Sequence, residues 1–391
     1  MERSRIDNYI KNKEALPSVT RESLTALQLK KLNIVLKREK ERGAFYQNLP
    51  EALESLSELP SLPFTTEEDL AQNAAGLLLC SQARIQRVLS DTTSGTTGAA
   101  KRVFYTEGDC ENTVGLFVTG LGELIGPGSV TMICFPFSGP YGLGALIAEA
   151  VMRLGARPLK LGSGLSYGEY KRVLDEEKPD TFVGMPVQLL SILRACGRGS
   201  LERALVSGDA CPQAVLRSCE EILGSCLFPH YGSREMALGG AISCQAHEGM
   251  HLREDHVIAE IIDEQGKPLP RGEFGELVIT TIGMEAMPLL RYRTGDYTRI
   301  LPDRCPCGSE VLRLDRVRRK EASELEILDE ALFSLPFVVD YRAEKRGDQL
   351  RLSVLTCGRG ELPPLDAVIE TRAVSRADRT LYAGKRKVLE V

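Results

Sequence analysis

The chain has 391 residues, with 49 Lys and Arg against 54 Asp and Glu and a net charge of −5. That length exceeds one ordinary core, so two domains or one large domain with a small appendage are expected, and the near-balanced charge argues against nucleic acid or an anionic membrane as a partner. No apolar run approaches the ~20 residues of a membrane helix, and the polar start MERSRIDN lacks a signal-peptide core; the eleven scattered cysteines suit reduced thiols, so the cytoplasm is the expected compartment.

Residues 1–60 predict a helical cap, with Leu24, Leu27, Leu29, Leu32, Ile34 and Leu36 recurring near helical spacing among charged residues. The segment LPSLPFTTEEDL breaks the chain at Pro60 and Pro63 and starts a new helix at Thr65 or Thr66, with acids in its first turn. Next comes SDTTSGTTGAAKRVFY, residues 90–105, in which Thr92, Thr93, Ser94, Thr96 and Thr97, with Gly95 and Gly98, precede Lys101. The glycines let backbone N–H groups approach an anion, the hydroxyls add donors, and the lysine supplies a point charge for terminal phosphates. No Ser or Thr follows the lysine, so this is not the Walker loop but a different nucleotide loop; a Gly/Ser/Thr surface turn is the bland alternative.

Beyond it, residues 130–135 (VTMICF) read as a strand buried on both faces, and the following PFSGPYGLG suits the wall of an apolar pocket. A helix stopped by Gly155 and a strand at RPLKLG complete a βαβ unit and imply a parallel sheet. The pattern repeats through residues 179–185, 186–195 and 203–210, so Gly208 and Asp209 fall where ligands meet the ends of parallel strands. Alternating strands follow in HVIAEIID, GELVITT and PLLRYRTGDYTRI, and the tail offers a helix near residues 324–335 and two strands. The expected fold is α/β: a large N-terminal domain, residues 1–314, with parallel sheets and a β-rich subdomain, and a small, shortened α+β C-terminal domain, residues 315–391.

Three motifs in order, SGTTGAAK, YGSRE and YRTGD, resemble the adenylate-forming superfamily of acyl-CoA synthetases. Supporting stretches such as LPFTTEEDL, GMHLREDH and CPCG are similar to the phenylacetate-CoA ligase group. The resemblance implies that a carboxylate attacks the α-phosphate of ATP to give an acyl-adenylate, from which a thiol, usually CoA, displaces AMP. It implies that Ser94, Gly95, Thr96, Thr97, Gly98 and Lys101 hold the β- and γ-phosphates. Tyr231, with Gly232 and Ser233, would lie against the adenine, and Gly208 and Asp209 would line its pocket. Glu235 would hold Mg²⁺, Asp296 both ribose hydroxyls, Arg316 the ribose, and Lys385 would swing in for adenylation and leave for the thioester step. A homodimer is also implied.

The chain departs from the family pattern at four points, the mildest being Ala100 in place of the usual proline before the loop lysine. Arg234 stands where a threonine is usual, placing a cation that could recruit a second carboxylate on the substrate or simply point to solvent. Arg318 replaces a hinge acid, and the tail is short, which bears on domain rotation and thioester formation. Cys305 and Cys307, with Cys244 and His251, form a set suited to tetrahedral, structural Zn²⁺, with His247 as rival fourth ligand; phenylacetate-CoA ligases carry a similar pattern. The resulting expectation is an ATP-dependent ligase joining a small, aromatic or otherwise apolar carboxylic acid to CoA. Its rivals are an adenylating enzyme that uses a carrier-protein thiol or an amine, and a nucleotide-binding protein without turnover.

Overall fold

The structure, a computed structural model, describes residues 3–42, 45–91, 101–224, 226–320, 323–381 and 386–391. The chain divides into two compact units, Met1–Glu123 with His230–Lys320, and Leu124–Pro229 with Glu321–Val391. No described helix is long and apolar enough to cross a membrane.

In the first unit the expected N-terminal helices are Arg5–Lys13, capped by the Ser4 side chain, and Arg21–Arg42. Leu24, Leu27, Leu32 and Leu36 are buried as the spacing predicts, while Ile34, one heptad after Leu27 at the edge of that stripe, is 50% exposed. Thr66, rather than Thr65, caps the helix Glu67–Asn73, in a reciprocal capping box with Asp69. Thr65 is buried instead and donates to the Leu290 carbonyl. The strands Ile85–Asp91 and Lys101–Thr106 pair antiparallel, and Thr106 caps the helix Glu107–Leu121. Val257–Ile262, Gly275–Thr281 and Tyr292–Thr298 form the expected antiparallel sheet. Ala241–Ile242 pairs antiparallel with Met250–Leu252, which pairs in turn with Arg313–Leu314.

The second unit holds the βαβ repeat. Its parallel strands run in the spatial order Arg157–Lys160, Val130–Ile133, Thr181–Gly184, Arg203–Val206, then the start of Leu227–Tyr231. Thr181–Gly184 is buried at every residue, as expected of a strand covered on both faces. Pro186 opens the helix Pro186–Cys196, where its missing N–H costs nothing. The tail supplies the helix Glu324–Phe333 and the antiparallel pair Val338–Arg346 and Gln349–Thr356, flanked in parallel by Val368–Ala373 and Leu389–Glu390. One core joins Leu189, Leu193, Val215 and Cys219 to Leu332, Phe333, Val339 and Tyr341. Arg386 is buried beside it, 2.5 Å from Asp329, with its guanidinium 5.1 Å from the Phe333 ring centre and 4.7 Å from that of Tyr341. These contacts desolvate the guanidinium but compensate it with a carboxylate and two π-faces.

Candidate active site

Lys101 opens its strand, and Glu235 sits in the 3₁₀ turn Arg234–Met236 that follows the strand Leu227–Tyr231. The two meet at 2.6 Å between Lys101 Nζ and Glu235 Oε1, and Glu67 Oε1 lies 3.4 Å from the same ammonium. Burial acts to raise the Glu235 pKa, but the charge and hydrogen bond of Lys101 outweigh it and hold the carboxyl below its ordinary range. Burial likewise acts to lower the Lys101 pKa, and Glu235 and Glu67 together raise it. Both groups are therefore ionised at neutral pH, a cation able to meet a phosphate beside an acid able to meet a hard divalent metal. Glu67 was legible only as an acid in a helix's first turn, since nothing local ties it to Lys101.

The turn that carries Glu235 is tightly built. Ala237 and Leu238 both adopt left-handed φ, 51° and 62°, a conformation uncommon outside glycine. Gly232 is required there: a Cβ at that position would lie 2.3 Å from the Leu238 carbonyl oxygen. The Arg234 carbonyl accepts a hydrogen bond from the Tyr105 hydroxyl at 2.5 Å, and the Arg234 side chain is half-buried. Ser233 precedes the turn and closes it through its carbonyl, which accepts from Leu238 N at 2.8 Å.

Tyr231 and Asp296 come together as the motif order suggests. The Tyr231 hydroxyl donates to Asp296 Oδ2 at 2.9 Å, and Arg319 Nη1 lies 3.2 Å from Oδ1. Burial and the neighbouring carboxylate keep the Tyr231 phenol well above its ordinary pKa, so it remains a donor. Arg316 lies just past the strand Arg313–Leu314, half-buried, its backbone N–H donating to Asp315 Oδ1. Arg319 is thus a cation in contact with Asp296 that the sequence did not single out; an isolated bridge between Tyr297 and Arg318 brings that segment alongside the Asp296 strand.

In the second unit Gly208 has φ of 85°, and a Cβ there would press on the Phe135 ring at 3.0 Å. Asp209 Oδ2 accepts from the Arg386 backbone N–H at 3.0 Å. Ser94, Gly95, Thr96, Thr97, Gly98 and Lys385 lie outside the described residues.

Cys244, His251, Cys305 and Cys307 converge in the first unit, all buried, with one ligand atom from each lying within 4.8 Å of the others. His247 is not among them. Tetrahedral zinc with ordinary bond lengths sets edges of about 3.8 Å between two thiolates and about 3.6 Å between thiolate and imidazole nitrogen. The Cys244–Cys305 sulfur separation is 3.8 Å and the Cys307 Sγ–His251 Nε2 separation 3.6 Å. Burial, with the Arg313 charge, pushes His251 down to about 4, leaving a neutral imidazole able to donate a lone pair. Burial pushes the Cys244 and Cys305 thiols up, a cost that a bound dication would reverse. The donor set and its spacing fit structural zinc.

Residues 87–286 match the AMP-binding enzyme family, and the chain belongs to it. The phenylacetate-coenzyme A ligase of Thermus thermophilus is 31% identical over 335 residues, which cover 76% of this chain and 71% of that protein. The phenylacetate-coenzyme A ligase of Escherichia coli is 30% identical over 319 residues, with 76% and 71% covered. Within the family, then, the chain groups with the phenylacetate-CoA ligase-like, AMP-forming acid–thiol ligases, as its three ordered motifs imply. A solved structure of 2-hydroxyisobutyryl-CoA ligase in the postadenylation state shares the fold, with a TM-score of 0.77 at 20% identity over 95% of this chain and 90% of that one.

Proposed function

We propose that the protein activates a small aromatic carboxylic acid with ATP and transfers the acyl group from the adenylate to CoA. The observation that carries this reading is the Lys101–Glu235 pair at 2.6 Å, with Asp296 and Tyr231 joined in the same unit. Lys101 would neutralise charge gathering on the phosphates, and its exchange from Glu235 to phosphate would release that carboxylate for Mg²⁺. Bound Mg²⁺ would supply electrostatic stabilisation at the phosphates. Asp296 is a bidentate acceptor for the two ribose hydroxyls, oriented by Tyr231 and Arg319. The aromatic acid is supported by the names of the curated relatives. Residues 1–314 would serve as the AMP-binding domain and 315–391, with Lys385, as the lid. Cys244, His251, Cys305 and Cys307 would hold one zinc that pins their segments without joining the chemistry.

The test is pyrophosphate release from Mg·ATP across aryl and short-chain acids, with and without CoA. The panel includes aryl acids bearing a second carboxylate, because Arg234 sets a guanidinium beside the catalytic glutamate in the chain. Release that requires an aryl acid, with CoA consumed in step, is the expected result. Release without CoA consumption would move the acceptor to a carrier protein or amine, and ATP binding without turnover would leave a nucleotide binder. Asp296→Asn should raise the KM for ATP by roughly tenfold or more, since one strong acceptor becomes a donor; an unchanged ATP KM would remove the ribose role.

A further inference from the structure

Glu235 rides on a turn whose carbonyls are gripped from two sides. The Thr113 hydroxyl makes the shorter of its two contacts, 2.7 Å, with the Ala237 carbonyl oxygen, against 3.1 Å to that of Asp109 within its own helix. His256 Nε2 lies 3.2 Å from the Met236 carbonyl oxygen. A carbonyl only accepts, so Nε2 carries the proton. The ring is fully buried, and burial together with the Arg253 charge keeps it neutral.

The two donors are themselves fixed. The His256 carbonyl accepts from Ile282 N at 2.9 Å and Gly283 N at 3.1 Å, and a Cβ on Gly283 would lie 2.2 Å from His256 Nδ1. Arg253, 1% exposed, makes a two-point contact with Asp255 at 3.2 and 3.1 Å and donates to the Asn112 carbonyl at 2.9 Å, next to Thr113. Lys13 of the first helix adds a 2.8 Å bond to Asp255, and Arg21 holds Glu254 through 2.6 and 2.8 Å bonds. The Arg253–His256 segment thus ties the N-terminal helices, the helix Glu107–Leu121 and the catalytic turn into one buried polar network.

We infer that Thr113 and His256 are positioning residues for Mg·ATP: by holding the Ala237 and Met236 carbonyls they keep the left-handed turn that aims Glu235. The strain of two consecutive left-handed residues persists only where surrounding contacts impose it; Thr113 and His256 hold the carbonyls of Ala237 and Met236 at the start of that left-handed pair, while the Tyr105 hydroxyl holds the Arg234 carbonyl before it. This inference rests on the reading of Glu235 as the Mg²⁺-binding acid. Neither residue touches the reacting atoms, so the consequence should fall on metal–nucleotide binding rather than on the acid.

Two matched pairs test it. Thr113→Val removes the hydroxyl at constant shape, whereas Thr113→Ser keeps it. His256→Asn puts its amide nitrogen near the Nδ1 position, whereas His256→Gln puts it where Nε2 stood. Binding of Mg·ATP and of ATP in EDTA is measured by calorimetry, alongside the KM for ATP and for the acid. Val and Asn are expected to weaken Mg·ATP binding about tenfold, with metal-free ATP binding and the acid KM unchanged, while Ser and Gln restore wild-type binding. Equal effects of Val and Ser and of Asn and Gln, or losses equal with and without metal, would overturn the inference. A wild-type protein that binds Mg·ATP without turnover would remove the ligase reading, and the dissociation constants alone would then decide; one that does not bind Mg·ATP overturns both.

Discussion

Lys101→Ala should lower acid-dependent pyrophosphate release by about 10²- to 10³-fold, the range found when one preorganised electrostatic contact is removed from a transition state. The ammonium lies 2.6 Å from Glu235 Oε1 and is itself only 15% exposed, so solvent cannot replace it at full strength. The same substitution has a second, pH-dependent effect. In the wild type the Glu235 pKa lies below its ordinary 4.5; its contribution to stability is present above that value and lost as pH falls through the folded pKa. The Lys101 pKa is raised above 10.5, and its contribution is present below that value and lost at still higher pH. The pair therefore leaves stability flat between about pH 5 and 10.

Without Lys101, burial becomes the dominant influence on Glu235 and raises its pKa. A carboxyl raised on folding contributes stability below its unfolded pKa and loses it as pH climbs through the folded value, so Lys101→Ala should be less stable at pH 8 than at pH 5 relative to wild type. A buried charge left without its partner costs about 3 kcal/mol. Thermal melts at both pH values, beside Lys101→Ala/Glu235→Gln, check this: the double variant should recover the pH 8 loss. Undiminished pyrophosphate release, or a single variant as stable as wild type at pH 8, would disprove the assignment.

Zinc should be the other large term. Purified protein is expected to contain about one zinc per chain, and a closed site of this kind contributes on the order of 10 kcal/mol to the fold around it. Cys305→Ser or exhaustive chelation should then lower the melting midpoint by well over 10 °C and raise amide exchange at residues 244–251 and 305–314 first, since those segments carry the four ligands. His247→Ala should do neither. Protein that is metal-free yet melts at the same temperature would eliminate the site, and zinc loss from His247→Ala but not His251→Ala would reassign its fourth ligand.

Much of the site was legible because its signals are local. Ordered motifs singled out Lys101, Glu235 and Asp296 as candidates, capping chemistry narrowed one helix start to Thr65 or Thr66, of which Thr66 is the cap, and the apolar run VTMICF marked the buried strand Val130–Ile133. Propensity and pattern act over a few residues, so they survive without knowledge of the fold.

What the sequence by itself determined, then, was the inventory of candidates: a lysine proposed for phosphate, an acid proposed for metal, an acid proposed for ribose, three thiols with two rival histidines, and an α/β frame to carry them. Only the tertiary structure decided the pairings. It set Lys101 against Glu235 and Glu67, brought Arg319 to Asp296, and gathered His251 rather than His247 with the cysteines. It also revealed the grips of Thr113 and His256 on carbonyls of the turn that carries Glu235. These contacts join residues far apart in the chain, and their geometry follows from how buried elements pack and from the need to satisfy polar groups removed from water. Neither is written in the spacing of any one segment.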